Sequence, residues 1–167
     1  TVREVVPIGR AGLAGLGRRL RRQDWQAVDG WIDRLGLSSL AQQRYCDVSG
    51  GEQRKTLIAR AMAQQPSLLL LDEPTANLDL GWRERLVETV AELYRQWDLA
   101  VVLVCHELEV LPPCCGRIVL LESGRLAGDG PPDRVLDDGL IACLYGEGLA
   151  LLSRGGRLAV VPQGEVS

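Results

Sequence analysis

The 167-residue chain has 19 basic and 22 acidic side chains, a net charge of −3 and an isoelectric point near 5.2. That balance provides no basic face for nucleic acid, and the cluster Arg18, Arg19, Arg21, Arg22 is too local to change this. Hydrophobic residues make up 46% of the chain, enough for one domain with a core, yet no apolar run approaches the roughly 20 residues that span a bilayer.

In chain order, residues 1–10 (TVREVVPIGR) read as helical, and the glycines at 9, 12, 15 and 17 then suggest a flexible connection leading into arginines. Residues 24–37 place Trp25, Val28, Trp31, Ile32 and Leu35 at helical spacing behind Asp24 as N-cap. Ser49 opens a helix with Leu57, Ile58, Ala61 and Met62 on one face, ending near Gln65 before Pro66. Residues 67–72 (SLLLLD) form the short apolar run expected of a strand buried on both faces. Trp82, Leu86, Val87, Val90, Leu93, Tyr94 and Trp97 make one helical stripe, and LAVVLVC at 99–105 follows as a second buried strand. Strand, helix, strand implies a parallel pair in an open α/β sheet, whose ligands lie beyond the carboxyl ends of the strands. Residues 117–130 read as a hairpin turning at Ser123 and Gly124, followed by two short helices and a last strand near 158–161. The cysteines at 46, 105, 114, 115 and 143 lack CxxC spacing and read as free thiols.

Two stretches carry chemistry. VSGGEQRK at 48–55 sets a serine and two glycines at a helix start, where unpaired N–H groups and the positive end of the helix dipole favour an anion. The bland alternative is a glycine-rich N-cap with no ligand. Asp72 and Glu73 end the first strand, where the aspartate can hold Mg²⁺ and its neighbour can orient an attacking water. Alone, the pair reads equally well as turn carboxylates before Pro74.

Taken in order, SGGEQ at 49–53, LLLLDEP at 68–74, ANLD at 76–79 and an apolar strand ending in CHE at 105–107 resemble the second half of an ATP-binding cassette (ABC) ATPase, the motor of ABC transporters. The 23 positions from Ser49 to Asp72 and the 34 from Asp72 to His106 match the family pattern. The resemblance runs from Thr1 to about Gly146 and is most specific between Asp47 and His106. It implies an α/β fold: a helical signature subdomain over 1–65, the C-terminal half of a RecA-like P-loop NTPase core over 66–145, and a short extension over 146–167. The phosphate-loop strand, expected between the strands near 100–104 and 117–121, is missing from this partial P-loop fold.

By the same resemblance, residues 48–52 correspond to the signature motif LSGGQ, with Val48 for leucine and Glu52 for glutamine. Ser49, Gly50, Gly51 and Glu52 would then face the γ-phosphate of ATP bound to the opposite subunit. Asp72 matches the Walker B aspartate that holds Mg²⁺, Glu73 the catalytic base, Asp79 the end of the D-loop that crosses the dimer interface, and His106 the switch histidine. The implied cofactors are ATP and Mg²⁺. The implied partners are a second ATPase subunit and a membrane permease docked on the helical subdomain, at the cytoplasmic face of the membrane, with no nucleic acid and no contact with the transported substrate.

The family's G-x-x-x-x-G-K-[ST] loop and Q-loop do not occur in these 167 residues. Lys55, the only lysine, belongs to the signature helix instead. A truncated piece of a longer ATPase and a natural short protein are the two explanations, and the piece alone is expected to bind Mg-ATP negligibly and to associate through unpaired strand edges. Residues 1–9 with the glycines and arginines after them resemble importer ATPases for manganese, zinc or iron ions or for iron chelates. A non-transport ABC ATPase and a non-enzymatic interaction module are the alternatives.

Overall fold

The computed structural model describes residues 1–15 and 18–164, apart from the side chain of Asp138, so Gly17 of the glycine run lies outside the described residues. The chain divides into two compact units, Thr1–Val104 and Cys105–Ser167.

The first unit begins with α1 (Val2–Val5), α2 (Ile8–Ala14) and α3 (Arg22–Arg34). The glycines at 9 and 12 are therefore helical rather than part of a loose connection. Tertiary packing overrides their low propensity. A Cβ on Gly9 would lie 2.0 Å from the carbonyl oxygen of Arg60, so only glycine lets α2 lie this close to the next long helix, α4 (Gly50–Met62). Arg10 secures the same junction: its guanidinium reaches Asp24 at 2.7 Å and donates to the carbonyl of Ala63 at 3.0 Å, where α4 ends and carbonyls lack helical partners. Asp24 is correspondingly not the N-cap of α3. Arg21 holds that position, and Asp24 sits one turn in, accepting from the Arg21 N–H at 2.8 Å. That bond and the Arg10 guanidinium hold the Asp24 carboxyl below its ordinary range.

The core of this unit joins Val2, Val6, Val28, Trp31, Ile32 and Leu37 to Ile58, Ala59 and Met62 of α4. On α4 the buried face also takes in Gly51 and Thr56; of the expected residues Ile58 and Met62 are buried and Ala61 packs against the core, while Leu57 is only half-buried and lies outside it. Strand β1 (Leu68–Asp72), helix α5 (Leu80–Gln96) and strand β2 (Ala100–Val104) follow, with β1 and β2 parallel and Leu68 opposite Ala100. The expected parallel crossover is present. Burial on both faces is not: Leu69 is 4% exposed, whereas Leu70 is 67% exposed and Val104 54%. In this two-stranded sheet one face packs on the core, and the period-2 alternation turns Leu68, Leu70, Val102 and Val104 outward together. Trp97, just beyond α5, stacks against Trp31 with ring centroids 4.9 Å apart and anchors the end of that helix on α3.

In the second unit, β3 (Ile118–Glu122) and β4 (Arg125–Gly130) form the expected hairpin. Ser123 and Gly124 have φ of 48° and 74°, the pair of positive values a two-residue turn of this hand requires. Arg117 forks onto both carboxylate oxygens of Asp129 at 2.8 Å across the strands. The short α6 (Pro132–Val135) packs on β4, and α7 (Asp138–Tyr145) is followed by a second hairpin, β5 (Leu149–Arg154) with β6 (Arg157–Pro162). Here the single expected last strand is a pair.

Candidate functional site

The start of α4 is built by its own sequence. Ser49 takes an extended conformation at the N-cap, and its hydroxyl accepts from the Glu52 N–H at 3.3 Å. Glu52 reaches back: one carboxylate oxygen accepts from the Ser49 N–H at 2.8 Å and from its hydroxyl at 2.7 Å. This reciprocal cap satisfies the N–H of Glu52 and leaves those of Gly50 and Gly51 without an intrahelical acceptor. An incoming phosphate would use the same Ser49 hydroxyl. Binding therefore requires the Glu52 carboxylate to yield its place.

At the end of β1 the chain turns sharply. Glu73 has φ of 41°, unusual for a residue with a side chain, and its N–H donates to the carbonyl of Val104 at 2.9 Å, which holds it there. The turn then winds through Ala76 N–H to the Glu73 carbonyl at 3.1 Å and through Leu78 N–H to the Thr75 carbonyl at 3.2 Å. Asn77 adds a second positive φ, 61°. Asp79 ends the loop by capping α5, accepting from the Trp82 N–H at 3.0 Å. Asp72 and Glu73 are both exposed. No group of three His, Cys, Asp or Glu among the described residues forms a metal cage. A single exposed carboxylate such as Asp72 suits Mg²⁺, which keeps several waters and takes phosphate oxygens rather than a full protein shell.

Within the first unit the turn at 49–52 and the loop at 76–79 meet. A Cβ on Gly51 would lie 2.1 Å from Cδ2 of Trp82, so the indole rests directly on the glycine backbone, while Leu78 lies 3.5 Å from the Cβ position of Gly50. A cleft of about 290 Å³ opens beside this contact, lined by Gly50, Gln53 and Arg54 on one side and Ala76 and Asn77 on the other. Sequence reasoning placed Trp82 on the helical stripe and missed its contact with Gly51. Nothing in local spacing marks a ring that packs on a glycine 31 positions away.

His106 belongs to the second unit. Its side chain is 66% exposed, with Nε2 3.7 Å from a Glu107 carboxylate oxygen. Its carbonyl accepts from the Tyr145 hydroxyl at 3.1 Å, so α7 fixes the backbone while the imidazole faces solvent. Burial, then the charge of Glu109, pushes the Tyr145 hydroxyl above its ordinary range.

A family model described as ABC transporter matches residues 1–76. The hemin import ATP-binding protein of Streptomyces coelicolor is 40% identical over 163 residues, covering 96% of this chain and 57% of that protein. The phosphonates import ATP-binding protein of Trichormus variabilis is 37% identical over 130 residues, 71% of this chain and 53% of that protein. The chain thus spans little more than half the length of these curated relatives. Among solved structures, a metal-chelate type ABC transporter in an inward-facing conformation superposes with a TM-score of 0.86 at 24% identity, over 99% of this chain and 67% of that one. An ATP-binding cassette in its ADP conformation gives a TM-score of 0.74 at 20% identity, over 87% and 62%. At these identities the structural likeness speaks for the fold, which is the mixed α/β cassette fold.

Proposed function

The chain belongs to the ABC transporter ATPase family, and we propose that it forms part of the ATP-hydrolysing motor of an importer for an iron chelate such as hemin, or for a metal ion. The observation that carries this reading is the joining, in one unit, of a capped glycine turn suited to a phosphate with the loop that starts at the strand-end carboxylates Asp72 and Glu73. Hemin import is what the relative matching over 96% of the chain is described as doing, and the phosphonate relative matches over less of it.

Each residue then has a role. Ser49, Gly50 and Gly51 offer a hydroxyl and backbone N–H groups to the γ-phosphate of ATP held by a second ATPase subunit, and Glu52 releases Ser49 to permit this. Asp72 would hold Mg²⁺, whose chemistry would be to neutralise charge on the phosphates. Glu73, fixed by its backbone, takes the proton of the attacking water, and His106 takes the switch-histidine role by its match to the family pattern. Asp79 shapes the loop that faces the other subunit. Residues 1–65 serve as the helical subdomain that meets a permease, residues 66–145 as the ATPase core and 146–167 as an extension. No described helix is long and apolar enough to cross a membrane. The permease docked on the helical subdomain would bring the chain to the cytoplasmic face.

The test is ATP turnover by the protein that carries this sequence, purified with its permease. Glu73→Gln is expected to lower kcat by about 10²-fold or more, the range general bases contribute. Undiminished turnover by that variant contradicts the assignment. Loading the complex into vesicles and comparing hemin with phosphonate as ATPase stimulant decides the substrate class.

A further inference from the structure

Helix α4 and the Asp79 loop are joined through one side chain. Trp82 stands in the first turn of α5, its N–H tied to Asp79 at 3.0 Å and its indole seated on Gly51 with no room for a Cβ between them. Two cations from different helices lie over the ring: Lys55 Nζ is 5.7 Å from its centroid and Arg85 Cζ 5.2 Å. Lys55 is one turn beyond Gly51 on α4, and Arg85 is in the next turn of α5. The indole is thus bound to α4 by steric fit and by a cation, and to α5 by the peptide chain and a second cation. Gly51 is buried whereas Ser49 and Gly50 are exposed, so the ring covers Gly51 and leaves Ser49 and Gly50 open.

We propose that Trp82 is a positioning residue for the phosphate-binding turn: the indole on Gly51, with Lys55 and Arg85 both over the ring, sets the direction of the α4 N-terminus relative to the Asp79 loop. Any movement of the loop is transmitted to Ser49, Gly50 and Gly51 through this ring, and a phosphate held by the turn restrains the loop in return. The proposal rests on the reading of these three residues as phosphate donors. It gives Lys55 a task that does not involve touching nucleotide.

The test uses the full-length protein. Trp82→Ala is expected to lower kcat by about tenfold or more while the ATP dissociation constant of the open protein stays within about twofold, because the turn engages phosphate only on closure. Trp82→Phe, which keeps a ring on Gly51, is expected to retain about half of kcat or more. Amide exchange at residues 50–53 should quicken by about tenfold in Trp82→Ala, with the core amides of α3 unchanged. Gly51→Ala should impair turnover and be partly rescued by adding Trp82→Ala, since the smaller residue makes room for the new methyl. Exchange at 50–53 within twofold of the unsubstituted protein, or strict additivity of the Gly51 and Trp82 substitutions, overturns the proposal. If Trp82→Ala does not fold, Trp82→Leu takes its place in every arm. Should the unsubstituted protein not hydrolyse ATP, the motor reading fails, while the exchange arm still decides whether Trp82 positions the turn.

Discussion

The turn at Ser49 and the ends of the two strands solve the same problem by different means. At the turn, position comes from side chains: Glu52 closes the cap, Trp82 presses on Gly51, and Leu78 packs beside Gly50. At the strand ends, position comes from the backbone. Glu73 is held in a strained conformation by the Val104 carbonyl, and His106 is tied through its own carbonyl to Tyr145, while both side chains remain exposed. A binding element gains from being built before its ligand arrives. In the proposed mechanism Glu73 and His106 act from exposed positions that water and phosphate can reach.

The largest effect expected comes at Gly9, which packs against α4, the helix that carries the turn. Its Cβ position collides with the Arg60 backbone, so Gly9→Val should separate α2 from α4 and cost at least about 2 kcal/mol, read as a lowered denaturation midpoint. An unchanged midpoint would show that the two helices do not approach as described. Ser49→Ala comes next. Removing the cap should cost about 1 kcal/mol in chemical denaturation and should also weaken ATP-dependent dimerisation, whereas a purely structural cap would affect only the first.

Arg10→Ala should lower Tm at neutral pH by removing the partner of Asp24. The Asp24 carboxyl is held below its ordinary range, so its contribution is present above about pH 4 and is lost as pH falls through the folded value. The Tm difference between Arg10→Ala and the unsubstituted chain should therefore shrink in acid. A gap that widens below pH 4 would reverse the sign of the argument. The smallest effect belongs to Glu52→Gln: it keeps an acceptor for Ser49 while removing a negative charge from the turn, so ATP-driven dimerisation should tighten by a few-fold at most.

Much of this was legible from residue pattern. The helix from Ser49, the parallel strand pair and the turn at Ser123 and Gly124 rest on local chemistry: a cap, apolar runs, and residues that accept positive φ. What escaped was decided by distant partners. Asp24 has the composition of an N-cap but answers to Arg10, and Gly9 looks like a loop residue until α4 lies against it. The apolar run of β1 does not say that one of its faces is exposed. The last hairpin had a signal that went unused, the pair Gly155 and Gly156 between two apolar stretches, both of which adopt positive φ. For the site, residue order found the turn and the strand ends, while Trp82 and Tyr145, which hold them, appear only in three dimensions.

The central claim is that the turn at Ser49 grips phosphate carried by a second subunit. Its most direct test is ATP-dependent dimerisation of the full-length Glu73→Gln protein with and without Ser49→Arg, followed by light scattering alongside nucleotide titration. The account predicts that both proteins bind ATP with the same affinity and that only the one retaining Ser49 dimerises. Equal dimerisation by the Ser49→Arg protein, or loss of its ATP binding, would contradict it.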